Sequence, residues 1–238
     1  EAFNDESLRN KINLSSANSI NIARLIPQSF YYIYAYSKLK ELNKDIVFSI
    51  PSGNFGNLTA GLFAKEMGIP KIKFIAATNA NSVVPEYLNG AEYNPRASIQ
   101  TISNAMDVGN PSNFTRIQDL YRTKEEIQSR VVGYSINEED TKDTMLNIYN
   151  QYKYISCPHT AVGIKAFENY KLTHKESVGV CLATAHPAKF KDTVEEVLNV
   201  NIEIPKRLKD CLSKKKNALS ISSDYEKFKQ FLISSSSI

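Results

Sequence analysis

The apolar positions of this chain alternate between short runs and helical spacing. Residues 45–50 read as a buried strand of parallel type, and 71–77, 130–135 and 177–183 read as further strands. Between and beyond them, 57–67, 138–152, 159–170 and 187–198 predict helices, the first ended by Gly68 and the last with Pro187 in its first turn. Residues 19–42 carry an aromatic-rich amphipathic pattern (Ile20, Leu25, Ile26, Phe30, Ile33, Tyr34) that predicts one long helix disturbed at Pro27. The tyrosines of that stretch, Tyr31, Tyr32, Tyr34 and Tyr36, read most simply as packing residues. The tail predicts two short helices, near 206–212 and 224–232, before a frayed serine run.

Strands alternating with helices predict an α/β fold with an open, doubly wound, mostly parallel sheet, whose ligands lie outside the carboxyl ends of the strands. The strand-helix-strand unit of 45–77 should pair in parallel through a right-handed crossover. Residues 79–123 break the pattern, being poor in periodicity and rich in Asn, Pro, Ser and Gly. So long a loop is expected to be functional or a lid. We therefore expect residues 1–238 to form one large domain, with an insertion at about 79–123 and a helical appendage at about 205–233.

Composition narrows the possible roles. A chain of 238 residues with 42% hydrophobic content can bury one sizeable core. Its formal charge of +4 is small for this length, and Lys214-Lys215-Lys216 reads as a solvated surface turn, so no nucleic-acid partner is inferred. Cys157, Cys181 and Cys211 lie in or beside apolar stretches, which fits reduced thiols in the cytoplasm better than a disulfide framework. No Cys/His spacing suggests a metal, and no apolar run approaches the roughly 18 residues that a membrane helix needs. A soluble, cytoplasmic protein with no membrane partner is expected. The chain begins at Glu1 in a charged, helix-like stretch, so we expect a piece of something longer.

The most informative segment is Ser49-Ile50-Pro51-Ser52-Gly53-Asn54-Phe55-Gly56-Asn57. It joins the first strand to a helix, where unpaired N–H groups and the positive end of the helix dipole converge. Gly53 and Gly56 let backbone approach an anion, and Asn54 and Asn57 can add amide donors. No Gly-Lys-Ser/Thr follows and a third glycine is missing, so a cofactor with one phosphate fits better than a nucleotide.

Three further segments belong to the same edge of the sheet. Around Asn18, Ser19 and Arg24 the sequence offers either a second anion clamp or simply an N-cap at Ser19 and a surface arginine. In Cys157-Pro158-His159-Thr160-Ala161-Val162-Gly163, the histidine is either a structural hydrogen-bonder or a base. In Leu182-Ala183-Thr184-Ala185-His186-Pro187-Ala188-Lys189-Phe190, Thr184 either caps the next helix or offers a hydroxyl to a ring nitrogen without forcing it to be charged.

Taken in order, Asn18-Ser19-Ile20-Asn21 with Arg24 and Gln28, then PSGNFGN, AMDVGNPSNF, PHTAVG and TAHPAKF, make the chain closely resemble threonine synthases over nearly its whole length. The MDVGNPSNF stretch points to the longer, bacterial and fungal-type branch. The resemblance implies a fold type II, tryptophan-synthase-β-like enzyme dependent on pyridoxal 5'-phosphate (PLP). It implies conversion of O-phospho-L-homoserine and water to L-threonine and phosphate by γ-elimination and β-addition, the last step of threonine biosynthesis. By the same resemblance Gly53, Asn54, Phe55, Gly56 and Asn57 bind the cofactor phosphate, and Thr184 faces the pyridine nitrogen. Asn18, Ser19 and Arg24 bind the substrate phosphate, while His159 and Lys189 are supporting residues without an assigned role. Cys157 departs from the acidic residue that the family commonly carries before Pro-His.

The family's cofactor-bearing lysine lies in an earlier motif, and Lys44-Asp45, Lys142-Asp143, Lys191-Asp192 and Lys209-Asp210 are not in its setting. The chain thus reads as the carboxyl-terminal portion of a longer enzyme, with no catalytic lysine of its own and a missing amino-terminal domain as partner. Alone it is expected to be inactive. The competing readings are a related PLP enzyme, either a hydroxyamino-acid dehydratase or a phospho-lyase, and a non-catalytic module for a phosphorylated ligand. A substrate clamp for phosphate argues against the dehydratase.

Overall fold

A strand lined on both sides by apolar residues must be covered on both faces, and the four strands here are arranged to allow it. The computed structural model describes residues 1–235. The chain divides into two compact units, one of Glu1–Asn21 with Ile204–Ile238 and the other of Ile22–Glu203.

In the smaller unit a 3-10 turn at Ala2–Asn4 precedes α1 (Glu6–Arg9), whose N-cap Asp5 accepts from the Leu8 N–H at 3.0 Å. The larger unit contains α2 (Ile26–Leu39), β1 (Ile46–Pro51), α3 (Gly56–Glu66), β2 (Ile72–Thr78), α4 (Val83–Leu88), α5 (Phe114–Tyr121) and α6 (Lys124–Gln128). It continues with β3 (Val131–Ser135), α7 (Glu138–Tyr152), α8 (Pro158–Lys171), β4 (Val178–Cys181) and α9 (Lys191–Leu198). The smaller unit resumes with α10 (Lys206–Leu212) and α11 (Tyr225–Ser235). There Asp5 accepts from both the Tyr225 hydroxyl and the Lys229 ammonium at 2.7 Å, tying α1 to α11.

The sheet has the order β3-β2-β1-β4, and every pairing is parallel. Along β1, Ile46, Phe48 and Ile50 face one core with Tyr32, Leu58, Leu62 and Phe74. Val47 faces the other with Ile75, Met106, Val162, Ala166 and Tyr170. Helices therefore cover both faces, as the alternation of elements in the sequence predicts.

Three expectations about local structure change. The long helix predicted at 19–42 is a 3-10 turn at Ile22–Arg24 followed by α2 and a second 3-10 turn at Lys40–Leu42. Pro27 sits in the first turn of α2, where its missing N–H costs nothing, so it starts this helix rather than disturbing it. Ser19 is therefore not the N-cap. β4 is shorter than predicted and only half-buried, because it forms the edge of the sheet. The last helix of the larger unit is preceded by a 3-10 turn at Pro187–Phe190. Of the serine run predicted to fray, Ser234 and Ser235 close α11, while Ser236 and Ser237 lie outside the described residues. No helix among the described residues is long and apolar enough to cross a membrane.

Candidate functional site

The chain leaves β1 towards β2 and β3 on one side, whereas β4 returns on the other side of β1. Such a reversal of strand order opens a crevice beyond the carboxyl ends of the two strands that flank it. Ser49 of β1 pairs with Cys181 of β4, and the Leu182 N–H donates to the Ser49 carbonyl at 3.0 Å. The segments that follow, Ser52 to Asn57 and Ala183 to His186, thus leave neighbouring strands at one edge.

The turn from β1 into α3 is built tightly. The Ser52 N–H donates to the Ala77 carbonyl at 2.8 Å, holding the turn onto the end of β2. Phe55, the N-cap of α3, lies in the left-handed region at φ 62° and ψ 12° and makes no side-chain capping bond. A bulky residue pays for that conformation, and here its ring is fixed in the core, edge-on to Phe114. Asn57 braces the turn, donating from Nδ2 to the Pro51 carbonyl at 2.8 Å, while its own carbonyl accepts from the Tyr32 hydroxyl at 2.6 Å. In the first turn of α3 the Leu58 N–H donates to Asn57 Oδ1 at 3.0 Å, while no side chain of the N-cap covers the N–H groups that the helix cannot satisfy internally.

Gly53 is required for a reason that its spacing does not reveal. A Cβ there would lie 2.7 Å from the Ala105 carbonyl oxygen and 2.9 Å from the Met106 Cα. On the side where a Cβ would stand, Gly53 therefore rests against the protein's own 3-10 turn, Asn104–Met106. Likewise, Asn54 directs its Oδ1 to the N–H and hydroxyl of Ser112, at 2.7 and 3.0 Å.

The 79–123 segment is held by a buried polar network. Asp107 accepts from Thr101 Oγ1 at 2.7 Å, Asn79 Nδ2 at 2.8 Å and the Thr101 N–H at 2.9 Å. Asn81 accepts from the Ile99 N–H at 2.7 Å and donates to the Ile99 carbonyl at 2.9 Å. At Gly109 a Cβ would collide with the Arg96 carbonyl oxygen, and Arg96 N–H donates back to the Gly109 carbonyl at 3.0 Å. Asn79, Asn81 and Asp107 were not singled out from sequence. Asp107 lies in the MDVGNPSNF stretch, whereas Asn79 and Asn81 show only as part of an Asn-rich stretch after β2, which is also how ordinary loops look.

His159, in the first turn of α8, is almost wholly buried. Its Nε2 accepts from the Ala105 N–H at 3.2 Å, which places the proton of a neutral ring on Nδ1, and Nδ1 finds no hydrogen-bond partner among the described residues. Burial, with the Lys189 ammonium nearby, pushes the imidazole down to about 4 against the opposing pull of Asp107. Its ring packs on Phe190 with centroids 4.4 Å apart, and the Lys189 Nζ lies 5.6 Å from the centroid of that same Phe190 ring.

Thr184 is exposed, three residues beyond β4. It does not cap the turn that follows, because His186 Nδ1 accepts from the Ala188 N–H at 3.1 Å and takes that role. Arg24 is exposed and ends a 3-10 turn of the larger unit, its carbonyl accepting from Gln28 Nε2 at 2.6 Å. Asn18 and Ser19 belong to the smaller unit, in a turn where the Asn21 N–H donates to the Asn18 carbonyl at 3.0 Å. Cys157 is buried at the N-cap of α8, with its Sγ 3.2 Å from Thr160 Oγ1.

Residues 160–232 match the family model described as "Threonine synthase, C-terminal". Over 238 residues the chain is 43% identical to threonine synthase of Buchnera aphidicola subsp. Schizaphis graminum, covering 98% of this chain and 54% of that protein. It is 44% identical over 210 residues to threonine synthase of Escherichia coli, covering 87% of this chain and 48% of the relative. The crystal structure of the Escherichia coli threonine synthase superposes with a TM-score of 0.88 at 39% identity, covering 98% of this chain and 54% of that one. A PLP-bound threonine synthase from Brucella melitensis gives 0.82 at 30% identity, with coverage of 98% and 55%. A threonine deaminase from Solanum lycopersicum shares the fold alone, at 15% identity and a TM-score of 0.53, with 73% of this chain and 49% of that one covered. The chain spans about half the length of the curated relatives it matches.

Proposed function

The chain belongs to the threonine synthase family and has its fold type II α/β architecture, and from this premise we propose that it carries the cofactor-phosphate and substrate-phosphate sites of a PLP-dependent threonine synthase. The reaction is that of the whole protein, in which O-phospho-L-homoserine and water give L-threonine and phosphate. The part of the relatives that this chain does not span is expected to supply the cofactor-bearing lysine and the facing domain. The observation that carries the reading is the amino end of α3, whose left-handed N-cap Phe55 supplies no side-chain acceptor, at the point where strand order reverses. These donors suit a phosphate dianion without further charge.

In this reading Gly53, Asn54, Phe55, Gly56 and Asn57 hold the cofactor phosphate, and the hydroxyl of Thr184 meets the pyridine nitrogen. A hydroxyl can donate as well as accept, so it orients the ring without fixing a proton on it. PLP, when bound, supplies the electron sink that lets bonds at the amino-acid carbons break. Arg24 binds the substrate phosphate, and its guanidinium stabilises the charge that grows there as this group departs. Three free cysteines agree with a reducing, cytoplasmic setting.

The test is an assay of the natural-length protein with PLP and O-phosphohomoserine, beside Arg24→Ala. Threonine and phosphate in equal amounts, with a raised KM in the variant, is the expected result. Phosphate without threonine would make the protein a phospho-lyase, and no phosphate at all would overturn the reading.

A further inference from the structure

We propose that His159 is a positioning residue that sets the phosphate loop through the 3-10 turn at Asn104–Met106. The inference rests on the reading of Gly53 to Asn57 as the cofactor-phosphate site and gives a role to a histidine that the resemblance left unassigned. Its geometry is a short chain of contacts. Nε2 of His159 takes the Ala105 N–H at 3.2 Å, and the Ala105 carbonyl oxygen on the other side of that residue lies 2.7 Å from where a Cβ on Gly53 would be. Gly53 is the first residue of the loop that is not wholly buried, and with no side chain it rests directly on this backbone. A shift of the turn by a fraction of an ångström is therefore transmitted to the loop. Met106, the next residue of the turn, is locked in the core with Val47 and Val162, so the turn has one apolar and one polar anchor. His159 is the polar one.

The same ring also packs on Phe190, so one imidazole touches the segments that follow β2 and β4 while standing on α8. Its neutral form is required, because a proton on Nε2 would turn the acceptor into a donor facing the Ala105 N–H. The charged groups facing the ring are Lys189 and Asp107.

Three variants of the natural-length protein test this: His159→Phe, which keeps the ring contact but has no acceptor, His159→Asn, which is too short to reach, and His159→Gln, whose amide oxygen can stand where Nε2 stands. The probes are PLP and unphosphorylated pyridoxal, with binding followed by absorbance. We expect His159→Phe and His159→Asn to bind PLP about five- to tenfold more weakly with pyridoxal affinity unchanged, the loss of about one well-placed hydrogen bond's worth of order. His159→Gln should stay within about twofold of the parent. A PLP-to-pyridoxal ratio unchanged in His159→Phe or His159→Asn overturns the proposal, as does equal impairment in His159→Gln. If His159→Phe does not fold, the Asn and Gln variants decide. A parent protein that binds PLP no better than pyridoxal would instead overturn the phosphate-loop reading on which the proposal stands.

Discussion

Asn54 Oδ1 accepts both the backbone N–H and the hydroxyl of Ser112, 58 positions further along the chain, at 2.7 and 3.0 Å. The turn from β1 into α3 is thus fastened to the MDVGNPSNF stretch, although the two lie far apart in sequence. Asn54→Ala removes both bonds and should destabilise the protein by about 1–2 kcal/mol, whereas Ser112→Ala removes one and should cost less than about 1 kcal/mol. Because the bonds share an acceptor, the double variant should be no worse than Asn54→Ala in urea unfolding, and amide exchange should quicken at 53–57. Additive losses would show that the two side chains act independently.

Gly53→Ala places a methyl 2.7 Å from the Ala105 carbonyl oxygen, against backbone that cannot swing aside as a side chain would. We expect a loss of roughly 1–3 kcal/mol in urea unfolding, together with weakened binding of PLP. Unchanged stability would mean that the turn at Asn104–Met106 yields easily.

Asp107→Asn replaces an acceptor with an amide in a place where only donors converge, from Asn79, Thr101 Oγ1 and the Thr101 N–H. One buried donor must then face another, at a cost of about 2–3 kcal/mol. The damage should be local, so hydrogen exchange at 99–109 is the measurement, with the strands remaining protected.

His159 predicts a pH signature. Its imidazole sits at about 4 in the folded chain against an ordinary value of about 6.5, so between those limits the unfolded chain takes up a proton that the folded one refuses. Stability should therefore fall as pH drops from about 6.5 towards 4 and level off below. Urea unfolding at pH 7 and pH 4.5 should show the parent losing on the order of 2–3 kcal/mol more than His159→Gln, which has nothing to titrate there. Equal losses would place the imidazole in contact with water in the folded state.

How much was legible beforehand differs from element to element. The strand predicted at 45–50 is Ile46–Pro51, and the helix predicted at 138–152 is Glu138–Tyr152. Both carry their own signals, an unbroken apolar run in one and Asn137 capping three acidic residues in the other. The stretch at 19–42 misled because its spacing is helical throughout, while Pro27 starts a helix here instead of interrupting one. The pairing of Asn79 and Asn81 with residues 99–107 is not legible in the sequence, since those partners lie 18 to 28 positions away. Nothing local to Asp5 announces that Tyr225 and Lys229 are its partners.

By itself, then, the sequence determined the parallel sheet and the two strand ends from which the candidate site is built. Burial on both faces imposes apolar runs on each strand, and a turn into a helix imposes its small and polar residues, so both are written within a few consecutive positions. Only the tertiary structure decided that Gly53 rests on Ala105, that Asn54 is held by Ser112, and that His159 serves Ala105 as an acceptor. Each of those relations joins segments more than 50 positions apart, and a hydrogen-bond partner at that distance is chosen by how the helices pack on the sheet and not by any neighbour in the chain.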